Sequence, residues 1–238
     1  MKLIAMDSSG LTASVAIVED ERVVAEYSVN HKKTHSQTLL PMLDEISKMA
    51  ELELDTVDAI AIAKGPGSFT GLRIGSATAK GLGLTLDIPI VEVTTTEGLA
   101  FNMYGSSDLI CPLMDARRNQ VYTGLYEFVG SGEDYHMETI LDASALPIEQ
   151  IIEKVNSLNR RVVFLGDGVA VYKESIEKLT TVDFLYAPIH KNLQSAASVG
   201  ALGMRYFKQG KAVSADEHVP EYLRLSQAER ERNEKESL

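Results

Sequence analysis

The chain of 238 residues has no tryptophan, a single cysteine, few other aromatics and no long run of uncharged apolar residues. The last absence removes a membrane-spanning helix, which needs about 20 consecutive apolar residues. A lone Cys111 excludes an internal disulfide and suits a reducing cytoplasm. The opening "MKLIAMD" reaches Asp7 before the apolar region of an export signal can form, so export is not expected. Cations are also scarce: 23 Lys and Arg stand against 34 Asp and Glu, for a net charge of -11. Nucleic-acid affinity depends on clustered cations against phosphates, so this chain is not expected to hold nucleic acid unaided. The pairs Lys32–Lys33, Arg117–Arg118 and Arg160–Arg161 read as solvated charge on separate loops. With aromatics at 6%, packing falls to Leu, Ile, Val, Ala and Met, and 45% hydrophobic residues suffice for one large domain or two lobes.

Three apolar, β-branched stretches, 3–7, 13–19 and 22–29, are separated by the turn formers "SSGLT" and "DE" and predict an antiparallel meander. Helical spacing follows at Leu39, Leu43, Ile46 and Ala50, then a buried strand at "AIAIA", a helix from Gly71 to Leu86, the strand "IPIVEV" and a helix from Thr95. A second pass finds a repeat. "MDSSGLTASVAIVE" (6–19) and "MDARRNQVYTGLYE" (114–127) both leave an apolar run at Met-Asp, turn, and return through an alternating strand to Glu at the same offset. Two related lobes are therefore expected, 1–105 and 106–225, followed by a charged tail at 226–238. The second lobe continues through "VVFLGDG" and a helix over 194–208 that ends near Gly210. Hairpins followed by alternating helices and strands predict an α/β fold of mixed sheets covered by helices.

The glycine-rich stretch "AKGPGSFTGLRIGSATAKGLG" (63–83) invites a phosphate-binding reading, which its spacing does not support. Lys80 is followed by no hydroxyl at the P-loop position, and Thr70 stands where a dinucleotide fingerprint needs its third glycine. The small residues instead form one helical ridge, Gly71, Gly75, Ala79 and Gly83, with a second row at Ala77 and Gly81. Such a ridge fits either packing on the chain's own sheet or a close contact across a subunit interface. Ser68 or Thr70 is placed to cap the helix. The preceding helix carries Leu39, Leu40, Met42, Leu43, Ile46 and Met49, a wider apolar surface than one core-facing stripe requires.

Other constellations carry less. His31 and His35 are four apart, but a Thr34–Gln37 capping box would start the helix between them and deny a shared metal face. Pro41 should bend that helix or delay its regular bonding. Cys111 reads as buried and inert. Asp7, Asp115 and Asp167 each end an apolar run beside a turn, where they serve equally a metal or phosphate site or a turn cap.

Within this pattern, "HSQTLLPML", "GPGSFTGLRIG", "PLMDARRNQVY" and "FLGDG", in this order, resemble the TsaB (YeaZ) family of the actin, hexokinase and Hsp70 superfold. The resemblance implies a cytoplasmic, non-catalytic subunit, with no cofactor or metal of its own, required for threonylcarbamoylation of adenosine 37 in tRNAs reading codons that begin with A. It implies dimerisation with a TsaD-like catalytic subunit, joined by a TsaE-like ATPase, a homodimer when alone, and tRNA reached only through the complex. It also favours the interface reading of the glycines, with Leu39, Leu40, Met42, Leu43, Ile46, Gly71, Leu72, Gly75, Ala79 and Gly83 meeting the partner. On that reading Gly75→Leu should abolish association and leave the subunit folded. An ATP-dependent phosphotransferase, with Asp7 and Asp115 around a magnesium nucleotide, is the alternative the superfold leaves open.

Overall fold

The computed structural model describes residues 1–31 and 34–224, so the tail expected at 226–238 lies outside the described residues. β1 (Lys2–Asp7), β2 (Thr12–Glu19) and β3 (Arg22–Asn30) form the antiparallel meander. The chain then runs through α1 (His35–Met49), β4 (Ala59–Gly65), α2 (Phe69–Leu86), β5 (Ile90–Thr94) and α3 (Thr95–Phe101). A second meander, β6 (Leu109–Asp115), β7 (Gln120–Val129) and β8 (His136–Pro147), leads to α4 (Ile148–Ser157), β9 (Val162–Leu165), α5 (Gly168–Leu179), β10 (Phe184–Tyr186) and α6 (Ala196–Lys208).

The two sheets have the same topology, β3-β2-β1-β4-β5 and β8-β7-β6-β9-β10, with the meander antiparallel and the later strands parallel. The repeat seen in the sequence is thus a structural duplication, shifted at one point. Met6 pairs with Val15 and Asp7 with Ser14, whereas Met114 pairs with Tyr122 and Asp115 with Val121, one residue tighter than equal offsets would give. The tightening coincides with Arg117, Arg118 and Asn119, all at positive φ.

Burial explains the strand composition. α1 and α2 cover one face of the first sheet; α3 and α6 fill the space between the sheets; α4 and α5 cover the far face of the second. Strands sandwiched on both faces read as continuous apolar runs, as in "LIAM" of β1, whose Leu3 to Met6 are fully buried. α4 was not anticipated, although Ile148, Ile151, Ile152 and Val155 mark its buried face at helical spacing. The capping box stands at Thr94–Glu97, ahead of α3. At Thr34 it is the carbonyl, not the hydroxyl, that accepts from Gln37 N, so the box expected there does not form. α1 runs on through Pro41.

α6 and the segment after it, which chain order assigns to the second lobe, pack on the first sheet. Residues 211–224 form a strap along α2: Val213 bridges Ile90 of β5, Ala215 lies against Gly83, and Glu221 N donates to the Lys64 carbonyl. The Arg224 guanidinium then reaches the Ala116 carbonyl in the other lobe.

Candidate partner surface and interlobe cleft

α2 is built on Ser68, whose hydroxyl accepts from Gly71 N at 3.3 Å. Its glycine ridge faces inward. A Cβ on Gly71 would lie 2.0 Å from the Ser8 carbonyl oxygen, one on Gly75 2.4 Å from Ser8 Oγ, and one on Gly83 2.9 Å from Ala215 Cβ. Ser8 Oγ donates to the Gly71 carbonyl across the same contact, at 2.9 Å. The close approach that the glycines permit is therefore made by the chain's own β1–β2 turn and strap. Leu72 and Ala79 are buried beside them, and Leu39, Met42, Leu43 and Ile46 fill the core between α1 and the sheet. Of the ten residues expected to meet a partner, Leu40 alone is exposed, at 53%. The expectation for Gly75→Leu reverses with it, because the added side chain would collide inside the monomer.

The surface that the two helices leave in solvent is a different stripe. On α1 it carries Leu40 and Pro41, and on α2 Ala77, Gly81 and Leu84. A Cβ at Gly81 would meet nothing within 4 Å. The flank of α2 away from α1 is covered by the strap. Tyr222 lies on Phe69 with centroids 4.5 Å apart, Arg73 Nε donates to Tyr222 Oη at 3.3 Å, and Lys80 Nζ reaches the carbonyls of Asp216 and His218.

His218 was not anticipated, because one histidine in a polar segment gives no periodic signal. It is fully buried; its Nδ1 donates to Glu92 Oε1 at 2.7 Å, and Ser76 Oγ lies 2.8 Å from Nε2. The His218 hydrogen bond holds the Glu92 carboxyl below its usual range, assisted by the Lys64 ammonium. Serine, histidine and carboxylate in a line resemble a nucleophile relay, but Ser76 and His218 are sealed from solvent, and lifting the strap would carry the histidine away. The arrangement fastens the strap.

A cleft of about 570 Å³ separates the lobes, between the β1–β2 turn, the start of α2, the β6–β7 turn and Tyr222 to Arg224. Asp115 and Asp167 line it. Asp7 does not; it is buried beneath Ser9, accepting from its N at 2.8 Å and its Oγ at 2.6 Å, and burial pushes its carboxyl up. Asp115 accepts from Arg117 N at 2.8 Å and Tyr172 Oη at 3.2 Å, and burial raises Asp167. The carboxylates therefore serve turns. His35 Nε2 lies 2.8 Å from the Gly10 carbonyl, and His31 is exposed. Among the described residues no three His, Cys, Asp or Glu are grouped as a metal would need. Cys111 is buried, and burial pushes its thiol up to about 12.

Two sheets of identical strand order, facing each other across a cleft with helices between and outside, define a protein of the actin/hexokinase/Hsp70-like class. The model of the family described as TsaD, tRNA N6-adenosine threonylcarbamoyltransferase, matches residues 22–232. The tRNA threonylcarbamoyladenosine biosynthesis protein TsaB of Bacillus subtilis (strain 168) is 35% identical over 96% of each chain, and that of Escherichia coli (strain K12) is 29% identical over 94% of this chain and 95% of its own. A solved structure, YeaZ from Pseudomonas aeruginosa, aligns with a TM-score of 0.79 at 28% identity, covering 93% of this chain and 99% of that one. The chain belongs to the TsaB (YeaZ) family of tRNA threonylcarbamoyladenosine biosynthesis proteins.

Proposed function

We propose that this chain supports threonylcarbamoylation of tRNA in the cytoplasm without carrying out the transfer, by docking on a TsaD-like catalytic subunit. On this reading the docking face is the outer stripe of α1 and α2, Leu40, Pro41, Ala77, Gly81 and Leu84. The same face makes a homodimer when the partner is absent, and a TsaE-like ATPase joins the assembled pair. The observation that carries the reading is a helix surface both apolar and bare, with open space over Gly81 and Leu84 55% exposed beside it. A glycine facing solvent in mid-helix, as Gly81 does, costs helix propensity without serving the monomer's packing, and a second backbone approaching closely accounts for it. The burial of Asp7 beneath Ser9, away from the cleft, favours this reading over a phosphotransferase.

The test is Gly81→Arg. Arginine is the better helix former, so the monomer should keep its melting temperature, while co-elution with the TsaD-like subunit weakens at least about tenfold. A wild-type elution profile from the variant would refute the docking face. Modification of unmodified tRNA by this chain, the partner and the two together separates a supporting role from a catalytic one.

A further inference from the structure

The β6–β7 turn holds a conformation that its residues resist. Arg117, Arg118 and Asn119 stand at φ of +61°, +55° and +59°, consecutive left-handed positions without a glycine, whereas the matching turn at Ser8–Leu11 contains none. Left-handed backbone crowds every side chain that has a Cβ, and such strain persists only where the surroundings impose it. Here they do: Arg117 N donates to Asp115 Oδ1, Tyr172 Oη bonds Asp115 Oδ1 and the Gln120 carbonyl, Asn119 Nδ2 donates to Glu149 Oε1 at 2.9 Å, and Arg224 clamps the Ala116 carbonyl.

What the conformation accomplishes is the display of two guanidiniums. Arg117 and Arg118 are exposed, and neither side chain has a hydrogen bond or ion pair among the described residues. That is unusual in a chain with 34 carboxylates. Arg22, Arg160 and Arg161 are paired with Glu19, Glu127 and Asp108, and Arg205 is taken up by the Tyr135 carbonyl and Tyr104 Oη. Among the described residues, the arginines without a carboxylate partner otherwise gather at the cleft: Arg117 and Arg224 line it, Arg118 adjoins it, and Arg73 stacks 4.0 Å above Phe69, which also lines it. Phe69 and Tyr222 supply a tilted aromatic pair at the same mouth, with Tyr222 38% exposed.

We propose that this cleft mouth contacts RNA directly, with Arg117, Arg118 and Arg224 on backbone phosphates and the Phe69–Tyr222 pair, backed by Arg73, as a platform for an unpaired base. The inference rests on the role in tRNA modification proposed above, and adds that this subunit itself touches the tRNA. Guanidinium forks match phosphate oxygens, and aromatic faces stack bases of any sequence. The aromatic pair favours RNA over an acidic protein, which needs only the cations. Asp115 and Asp167 also line the cleft but are half-buried, whereas Arg117 and Arg118 are exposed.

The test is fluorescence anisotropy of a labelled, unmodified tRNA transcript titrated with the complex of this chain and its TsaD-like partner, over a range of salt. R117A/R118A should weaken binding about tenfold near 100 mM salt and flatten the log–log salt dependence by roughly 1.5, the loss of two phosphate contacts. R117K/R118K should keep most of that slope. Tyr222→Leu should weaken binding with the slope unchanged, since stacking releases no counterions. Wild-type affinity and slope from an R117A/R118A complex that still assembles would overturn the proposal. So would loss of partner association with tRNA affinity intact, which would assign the patch to an acidic protein. Modification by the wild-type complex is measured alongside: if that fails, the role itself is wrong, and if it succeeds while the variants bind tRNA normally, only the contact is.

Discussion

The β1–β2 turn at Ser8–Leu11 and the β6–β7 turn at Ala116–Asn119 occupy equivalent places in two sheets of one topology, yet Ser8 and Ser9 of the first are packed away while Arg117 to Asn119 of the second stand in solvent. Ser8 and Ser9 are buried under Gly71, Gly75 and Gly67 of the α2 entry, with His35 fixed on the Gly10 carbonyl. In the second lobe the corresponding glycines, Gly166 and Gly168, press on the Leu113 carbonyl at the end of β6, leaving the turn beyond them uncovered. Duplication thus preserved the hairpins while their neighbours diverged. One turn became a packing element and the other a display of charge.

The comparison breaks most visibly at Gly71. Gly71→Leu drives a side chain into backbone that has no flexible end to yield, and should cost about 3 kcal/mol or more, lowering the melting temperature by roughly 6 to 12 °C. A thermal melt within about 2 °C of wild type would show that the first turn is not sealed as described.

Asp7 sharpens the contrast at intermediate size. Its folded pKa is raised by burial, so the native state binds the extra proton, and stability falls as pH rises from the usual aspartate range through that raised value. An asparagine in its place would keep an oxygen for the two Ser9 bonds without the charge. Asp7→Asn should therefore gain stability relative to wild type as pH rises from about 4 to 8, read as a growing difference in melting temperature. A difference independent of pH would contradict the burial argument.

The smallest effect belongs to the open turn. Arg118→Gly removes a left-handed residue with no side-chain partner, and relief of crowding outweighs the added chain entropy by a margin of about 0 to 1 kcal/mol. Denaturant titration should give a midpoint at or slightly above wild type; a loss above about 1 kcal/mol would mean that the guanidinium has a structural role.

Much of the fold was legible because strands buried on both faces, such as β1, run almost wholly apolar, and the turn formers "SSGLT" and "DE" mark the hairpins. The small-residue ridge of α2 was legible too, but the backbone it meets was not. A stripe at 71, 75, 79 and 83 says that something approaches closely, and only the three-dimensional path of the β1–β2 turn identifies Ser8 as that neighbour. The exposed row at Ala77 and Gly81 was visible as a second stripe and lacked any local sign that it was the outer one. The strap left no pattern, since His218, Lys64, Glu92 and Ser76 come from four separate segments.

The sequence by itself determined the two lobes, their hairpins, the family and the scarcity of cations, because periodicity and motif order are local and repeat along the chain. The tertiary structure decided which face of α2 is core, which arginines lack a counter-charge and how the C-terminal strap is fastened. Those depend on contacts between residues from separate segments, such as Ser8 with Gly71, Ser76 with His218 and Ala116 with Arg224, which no local pattern encodes.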